Sequence, residues 1–395
     1  MASPAPETTT TNGDLNDSYQ QVLTAIDDLA ATWAVERDDR FKRRHLERAD
    51  FDAVAATGYL QLIVPEEHGG SWRSLNETGP VIVEAIRRLA TADQSVALVS
   101  SMHPTVLGFW TCAPRAPRPH EAEWNAQRRT VFETAMNGHF WGTITSEPGS
   151  GGDVLATRAT AEPIEGADTF ALFGDKHFGS GSQIVSYMVT TAKPEGTEMP
   201  LAFYLDLREQ PWDGSAGVHI TRPWDGMGMK ATQSHAVRLD GVAGVPWAWQ
   251  QALALGVPST GALGLTMFCS VISAVCDAAM AEAERRLAGR QLRAYEEVAL
   301  TQAQIDHWML TQALDGLVAS LASEPAAVTL LAATKAKLGM AAMAESLMSQ
   351  VCRAVGGGAF SASSPFATWY EDVRALGYLR PPWALAFDQL SAARI

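Results

Sequence analysis

The sequence predicts an α+β protein in which a helical region, a small barrel or sandwich of β-strands and a bundle of long helices follow one another. The middle of the chain has short runs rich in β-branched and aromatic residues, such as "TFALFGDKHF" and "LAFYLDL", separated by turn residues. The last third consists of long Ala-, Leu- and Met-rich runs with few helix breakers, which favour an antiparallel bundle. Near the N-terminus, apolar residues recur at the spacing of one helix face: Val22, Ile26, Leu29 and Trp33.

These changes along the chain predict four segments. Residues 1–16, rich in Thr, Pro and Asn, predict a disordered tail and no signal peptide, since no basic segment precedes an apolar core. Residues 17–137 predict an N-terminal helical domain, and residues 138–249 a β domain that is a small barrel or a sandwich. Residues 250–395 predict a C-terminal helical bundle.

Composition excludes several classes of function. The chain has 395 residues, is 47% hydrophobic and has a formal net charge of -14, which argues against nucleic acid as a partner. The four cysteines form no CxxC pair, so neither disulfides nor zinc are predicted, and a reducing compartment fits. The uncharged stretch 241–276 is interrupted by Pro and Gln, so no membrane-spanning segment is expected. We therefore expect a soluble cytoplasmic protein.

Three segments contain recognisable motifs. They are "GYLQLIVPEEHGG" from Gly58, "TITSEPGSGGD" from Thr143 and "AVGGGAFSASSPFATWYEDVRA" from Ala354. In this order they resemble signatures of the acyl-CoA dehydrogenase superfamily, whose members consist of a helical domain, a β-barrel and a four-helix bundle. The resemblance extends over about residues 17–395 and implies the same fold here.

The resemblance also implies a flavin cofactor at the second segment. There the glycines would let the backbone pass close to a flat ring, and the neighbouring hydroxyls would reach its polar atoms. The segment "KHFGSGS" falls where the family places an aromatic residue and a hydroxyl against the flavin. The residues expected at the flavin are Thr143, Thr145, Ser146, Gly151, Phe178 and Ser180.

Further cofactor contacts are expected from the bundle. "ERRLAGR" resembles a turn whose arginine holds the cofactor pyrophosphate in the family, and Arg285 is the matching residue, or Arg286 if the register shifts by one. A solvated helix end with cations at its C-terminus is the alternative. Because of Arg285, FAD is expected, with FMN as the alternative. Gly356 and Gly357 match a turn that approaches the flavin of a neighbouring subunit, although a helix C-cap would explain them equally.

The part of the site that would bind an acyl-CoA departs from the family pattern. Dehydrogenation of an acyl thioester needs a carboxylate that removes the α-proton. In the commonest version this Glu lies eight residues after an Asp, here Asp372, and that position is Arg380, which cannot act as a base. The other family position for the Glu lies within 241–276, which has no charged residue. Gly152 stands where many members have a serine near the thioester.

A second branch of the superfamily, the flavin monooxygenases that use reduced flavin from a separate reductase, resembles these features better. Some of them have a histidine in the second N-terminal helix, and His103 matches it. With a pKa near neutrality, His103 could donate or accept a proton during the reaction, and a structural core histidine is the alternative. Arg380 could bind an anionic substrate or hold an oxygen atom, and a surface ion pair is the alternative.

Two enzyme hypotheses follow, both FAD-dependent oxidoreductases. The first is a monooxygenase or oxidase-like enzyme on a small or carrier-bound organic substrate, with His103 and Arg380 as candidate catalytic residues. The second is an α,β-dehydrogenase of acyl-CoA or acyl-carrier-protein thioesters with a displaced base, for which Asp388 is the candidate. A flavin-binding protein without turnover is a third possibility.

The sequence also predicts the partners. We expect a flavin reductase or an electron-transfer protein, and no nucleic acid or membrane. A homodimer or homotetramer is expected, since a bundle so rich in Ala and Met would otherwise expose apolar surface. No metal is expected, because the histidines lack ligand spacing.

Overall fold

The structure, a computed structural model, describes the backbone of residues 12–393 and the side chains of residues 17–393. The tail predicted for residues 1–16 therefore lies outside the described side chains, although the first helix begins at Asn12.

Within residues 12–393, seven α-helices precede the first strand. Local capping helps to define their starts: the Ser74 hydroxyl accepts the Glu77 N–H, and the Asp93 carboxylate accepts the Val96 N–H. The apolar face predicted near the N-terminus packs into the core, where Ile26 is fully buried. The helices are α1 (Asn12–Val35), α2 (Arg37–Arg40), α3 (Arg48–Ala56), α4 (Leu75–Ala90), α5 (Gln94–Ser100), α6 (Met102–Thr111) and α7 (Arg118–Met136).

The middle of the described chain forms a closed barrel, as the sequence predicts. Its seven strands are β1 (Trp141–Thr143), β2 (Thr160–Pro163), β3 (Phe170–Gly179), β4 (Tyr187–Pro194), β5 (Leu201–Asp206), β6 (Val218–Arg222) and β7 (His235–Pro246). Strands β4, β2, β3, β7 and β5 pair in that order, and β5 pairs back to β4, which closes the ring. Strand β1 extends it at β4, and β6 pairs with β7. Buried apolar side chains such as Leu172, Phe203 and Val237 form the core here.

The last part of the described chain is a helical bundle. Its elements are α8 (Gln251–Leu287), α9 (Ala294–Ser323), α10 (Ala326–Val355), α11 (Pro365–Val373), α12 (Ala375–Tyr378) and α13 (Trp383–Ala392). The three long helices pack on one another, and α4 and α11 pack against α8. In place of one long fourth helix the chain has three short ones, and Pro381 and Pro382 account for the break between α12 and α13.

Two helices of the described chain are long and apolar enough, by length and composition, to cross a membrane. They are α8 and α10, and the most apolar stretches of the two are 89% and 39% buried inside the protein. Helix α8 packs against α4, α6, α9 and α10, so its apolar composition is that of a core helix. Such a pattern is weak support for a membrane span, since the core helices of soluble proteins share it.

A buried ion pair fixes the loop after β1 to the barrel. Lys176 of β3 donates from Nζ to Glu147 Oε1 at 2.6 Å and to the carbonyl of Thr191 at 2.7 Å. The side chains of Lys176 and Glu147 are 0% and 3% exposed. Burial by itself raises the pKa of Glu147, but hydrogen bonds from Lys176 and Thr157 outweigh it and lower the pKa. The pair therefore joins this loop to β3 and β4.

We predict that Lys176→Met destabilises the protein by about 3–5 kcal/mol, because it leaves the Glu147 carboxylate buried without its cation. Urea unfolding of the variant measures this. Lys176→Met combined with Glu147→Gln should recover part of the loss.

The matched control is Lys42→Met, which removes an ion pair with Asp39 whose side chains are 75% and 86% exposed. It should cost less than about 1 kcal/mol. Equal losses in the Lys176 and Lys42 variants would contradict the importance of the buried pair.

Candidate active site

The loop between α12 and α13 brings Arg380 onto the loop after β1. Its Nη1 donates to Thr145 Oγ1 at 2.8 Å, and its Nη2 donates to Ser146 Oγ at 2.6 Å. Arg380 is therefore in direct contact with two neighbouring residues that lie 235 and 234 positions away along the chain. This group of Arg380, Thr145 and Ser146 is called the arginine–hydroxyl cluster below.

The cluster leaves both hydroxyl protons free. Thr145 and Ser146 each accept an N–H from the guanidinium, so each can donate its own proton to another acceptor. A charged donor polarises each hydroxyl and strengthens the bond that it donates. This donor set fits the carbonyl oxygens and ring nitrogens of a flat heteroaromatic group such as the flavin ring.

Lys337 of α10 holds the Arg380 loop in place. The side chain of Lys337 is fully buried, and its Nζ donates to the carbonyl of Leu379 at 2.6 Å and to that of Pro381. These carbonyls belong to the residues on either side of Arg380. Burial lowers the pKa of Lys337 to about 8 and that of Arg380 to about 10, so both remain mainly charged near neutral pH.

Phe178 and Ser180 lie at the end of β3, where a bulge between Lys176 and Gly179 changes the pairing register. Phe178 has a φ of 59°, in the left-handed region, and its side chain is 61% exposed. Its ring meets Trp224 edge to face at 6.1 Å. Strained backbone and bulges are concentrated at functional sites, and an exposed aromatic ring offers a flat apolar surface. The hydroxyls of Ser180 and Ser234 share a hydrogen bond of 2.7 Å.

Two other loop predictions are less distinctive in the structure. The Thr143 hydroxyl donates to the carbonyl of Val189 at 3.3 Å, which ties it to the barrel. Gly151 has a φ of 60°, and a side chain there would meet open space. The backbone at Gly151 is therefore accessible to a ligand, but its role stays a prediction.

The bundle residues predicted to bind the cofactor lie at the surface. Arg285 is exposed and paired with Glu282 at 2.7 Å. Gly356 ends α10 with a φ of 85°, and both it and Gly357 face open space. Among the described residues, no hydrogen bond or ion pair joins these three to the arginine–hydroxyl cluster.

His103 does not have the surroundings of an acid–base residue. It is fully buried, its Nδ1 accepts the Trp141 N–H at 3.2 Å, and its Nε2 faces the carbonyl of Leu60 at 3.2 Å. Burial lowers its pKa to about 3, so the ring stays neutral at ordinary pH. These contacts are those of a structural core histidine, and a proton-transfer role for His103 stays a prediction that they do not support.

Lys337 and the Lys176–Glu147 pair are functional features that were not predicted from the sequence. Lys337 has a recognisable pattern: Ala333, Thr334, Met340 and Ala341 lie three and four residues away on the same buried helix face. A single cation on an apolar face indicates a buried polar contact. The Lys176–Glu147 pair has no comparable local signal, because its members lie on different elements.

No protein-family model matches the chain. The chain is 27% identical over 307 residues to the dibenzothiophene monooxygenase of Rhodococcus qingshengii. That alignment covers 71% of this chain and 66% of the relative, just under two thirds of its length.

Two solved structures share the fold over nearly the whole chain. FMN-bound TdsC from Paenibacillus sp. A11-2 has a TM-score of 0.75 at 21% identity, covering 94% of this chain and 96% of that one. Butyryl-CoA dehydrogenase from Megasphaera elsdenii has a TM-score of 0.79 at 16% identity, covering 98% and 99%. With the order of helices, barrel and bundle, these findings show that the chain has the acyl-CoA dehydrogenase fold.

Proposed function

We propose that this protein is a flavin-dependent monooxygenase that acts on a small organic substrate and receives reduced flavin from a separate reductase. The observation that supports it most is the position of Arg380. It replaces the carboxylate expected eight residues after Asp372, and its guanidinium bonds to Thr145 and Ser146. A catalytic base must lie within hydrogen-bond reach of its proton, and arginine cannot serve as that base.

Nearby carboxylates do not replace the missing base. Glu147 is committed to Lys176. Asp153 raises the pKa of Arg380 through its charge, but no ion pair joins the two. Asp388 of α13 is exposed, and within residues 17–393 no hydrogen bond or ion pair links it to the arginine–hydroxyl cluster. The dehydrogenase hypothesis therefore has no candidate base with supporting contacts.

The residues present fit a flavin. Thr145 and Ser146 would hold the polar edge of the ring, and Phe178 would cover part of its face. The bound flavin would supply the redox chemistry with oxygen. We propose FMN in preference to FAD for two reasons. TdsC binds FMN. Arg285, the residue from which FAD was expected, is exposed and paired with Glu282.

We also propose that the protein forms a homo-oligomer through α9. Large apolar side chains on this helix are between 45% and 68% exposed, more than an isolated soluble bundle usually shows in one place. They are Tyr295, Val298, Ile305, Trp308 and Met309.

Two departures from the acyl-CoA pattern, Gly152 and Arg380, are linked through the loop that carries Arg380. Gly152 has a φ of 89°, and a Cβ atom there would lie 2.9 Å from Cδ of Pro382. Pro382 lies in the same loop as Arg380. A serine at position 152, as in many family members, would therefore clash with this loop in its present position. The glycine at position 152 and the position of the Arg380 loop therefore depend on each other. This favours a site adapted to a substrate other than an acyl-CoA.

Gly152→Ser should destabilise the protein by about 1–3 kcal/mol, from left-handed backbone strain and from the contact with Pro382. Gly166→Ser is the matched control, because Gly166 has a φ of 75° but open space around it. Chemical unfolding of both variants isolates the Pro382 contact as the difference between them. Equal losses would show that the Arg380 loop does not exclude the serine.

Stopped-flow absorbance tests the proposed function. When the FMN-loaded protein is mixed anaerobically with short-, medium- and long-chain acyl-CoAs, the oxidised flavin absorbance should stay unchanged. When the protein holding reduced FMN is mixed with oxygen, it should release hydrogen peroxide more slowly than free reduced FMN does. Bleaching by an acyl-CoA would instead establish a thioester dehydrogenase.

A further inference from the structure

The candidate site carries more positive charge than the described carboxylates offset, although Asp153 acts on Arg380 through its charge without an ion pair. Of its three cations, only Lys176 has a carboxylate partner, Glu147. Lys337 donates to two main-chain carbonyls and Arg380 to two neutral hydroxyls, and no carboxylate of residues 17–393 forms an ion pair with either. This excess occurs in a chain with a net charge of -14. Because a desolvated cation without a counter-charge is costly, the site is suited to an anion.

The guanidinium of Arg380 has N–H groups that form no hydrogen bond with the described residues. A guanidinium presents five N–H groups in a planar fork, and two of them are used by Thr145 and Ser146. The other three have no acceptor among the described residues. The side chain is only partly buried, so a ligand can reach it. A planar fork of this kind matches a carboxylate or a phosphate, which can accept two parallel bonds.

The fork is also held in a fixed position before any ligand binds. The two hydroxyls fix its orientation, and Lys337 fixes the main chain on both sides of Arg380. Pro382, against Gly152, fixes the next part of the loop. A cation held in this way loses little conformational freedom on binding, which favours affinity.

We propose that Arg380 forms a subsite for an anionic group of the substrate, a carboxylate or a phosphate. This rests on the proposed function, since it places the substrate next to the flavin held by Thr145 and Ser146. A phosphate of the cofactor has the same chemistry, but these two hydroxyls belong to the loop expected at the ring. We therefore assign Arg380 to the anionic group of the substrate and not to the cofactor phosphate.

Isothermal titration of the FMN-loaded protein with benzoate, inorganic phosphate and the neutral benzamide tests the proposal. Benzoate or phosphate should bind at least about tenfold more tightly to the natural protein than to Arg380→Gln, as expected for charge-assisted hydrogen bonds. Arg380→Lys should keep part of the affinity. Benzamide should bind weakly and equally to all three proteins.

Arg115→Gln is the matched control, since Arg115 is an exposed arginine paired with Glu121, and it should leave binding unchanged. If Arg380→Gln fails to fold, the preference of the natural protein for benzoate over benzamide and the Arg380→Lys variant still test the subsite. Anion binding that is absent, or equal in the natural protein and Arg380→Gln, would overturn it.

A separate titration with FMN identifies the source of the anion. If Arg380→Gln weakens FMN binding while benzoate affinity in the remaining loaded protein is unchanged, the cofactor is the anion and the proposal fails. Bleaching of the flavin by acyl-CoAs would refute the monooxygenase function but leave the benzoate result standing, so the two failures are distinguishable.

Discussion

The two hydrogen bonds from Arg380 to Thr145 and Ser146 join the C-terminal helices to the barrel, and the rest of the site depends on them. These bonds form only if the main chain places the guanidinium within reach of both hydroxyls. Lys337 fixes that main chain through its hydrogen bonds to two carbonyls. The bonds from Arg380 also require a rigid loop on the barrel side. There the buried pair of Glu147 and Lys176 anchors the residue next to Ser146.

Under the proposed function, these contacts explain how a fold shared with a butyryl-CoA dehydrogenase supports another chemistry. Replacing the expected carboxylate by Arg380 removes the base and reverses the charge at that place. The fold tolerates the change because Gly152 leaves room for the loop and Lys337 holds it with neutral carbonyls. The altered residues thus act together, and they alter the substrate side while keeping the hydroxyls suited to a flavin.

Much of this could be predicted from the sequence, because the signals are local. Helix periodicity and turn-bounded strands predict the order of helices, barrel and bundle, and counting from Asp372 locates Arg380. Burial is not a local property, and this is why the surroundings of His103 could not be predicted. An unpaired histidine in a sequence cannot show that both ring nitrogens face main-chain groups. Lys337 was missed for a related reason, since lysines in helices are usually exposed.

The most direct test of the central claim is a crystal structure of the protein with oxidised FMN. The account predicts that the ring lies with its polar edge within hydrogen-bond distance of the Thr145 or Ser146 hydroxyl and one face against Phe178. It also predicts that Lys337 still holds the Arg380 loop. A flavin bound elsewhere, with the arginine–hydroxyl cluster unchanged and facing no ligand, would contradict it.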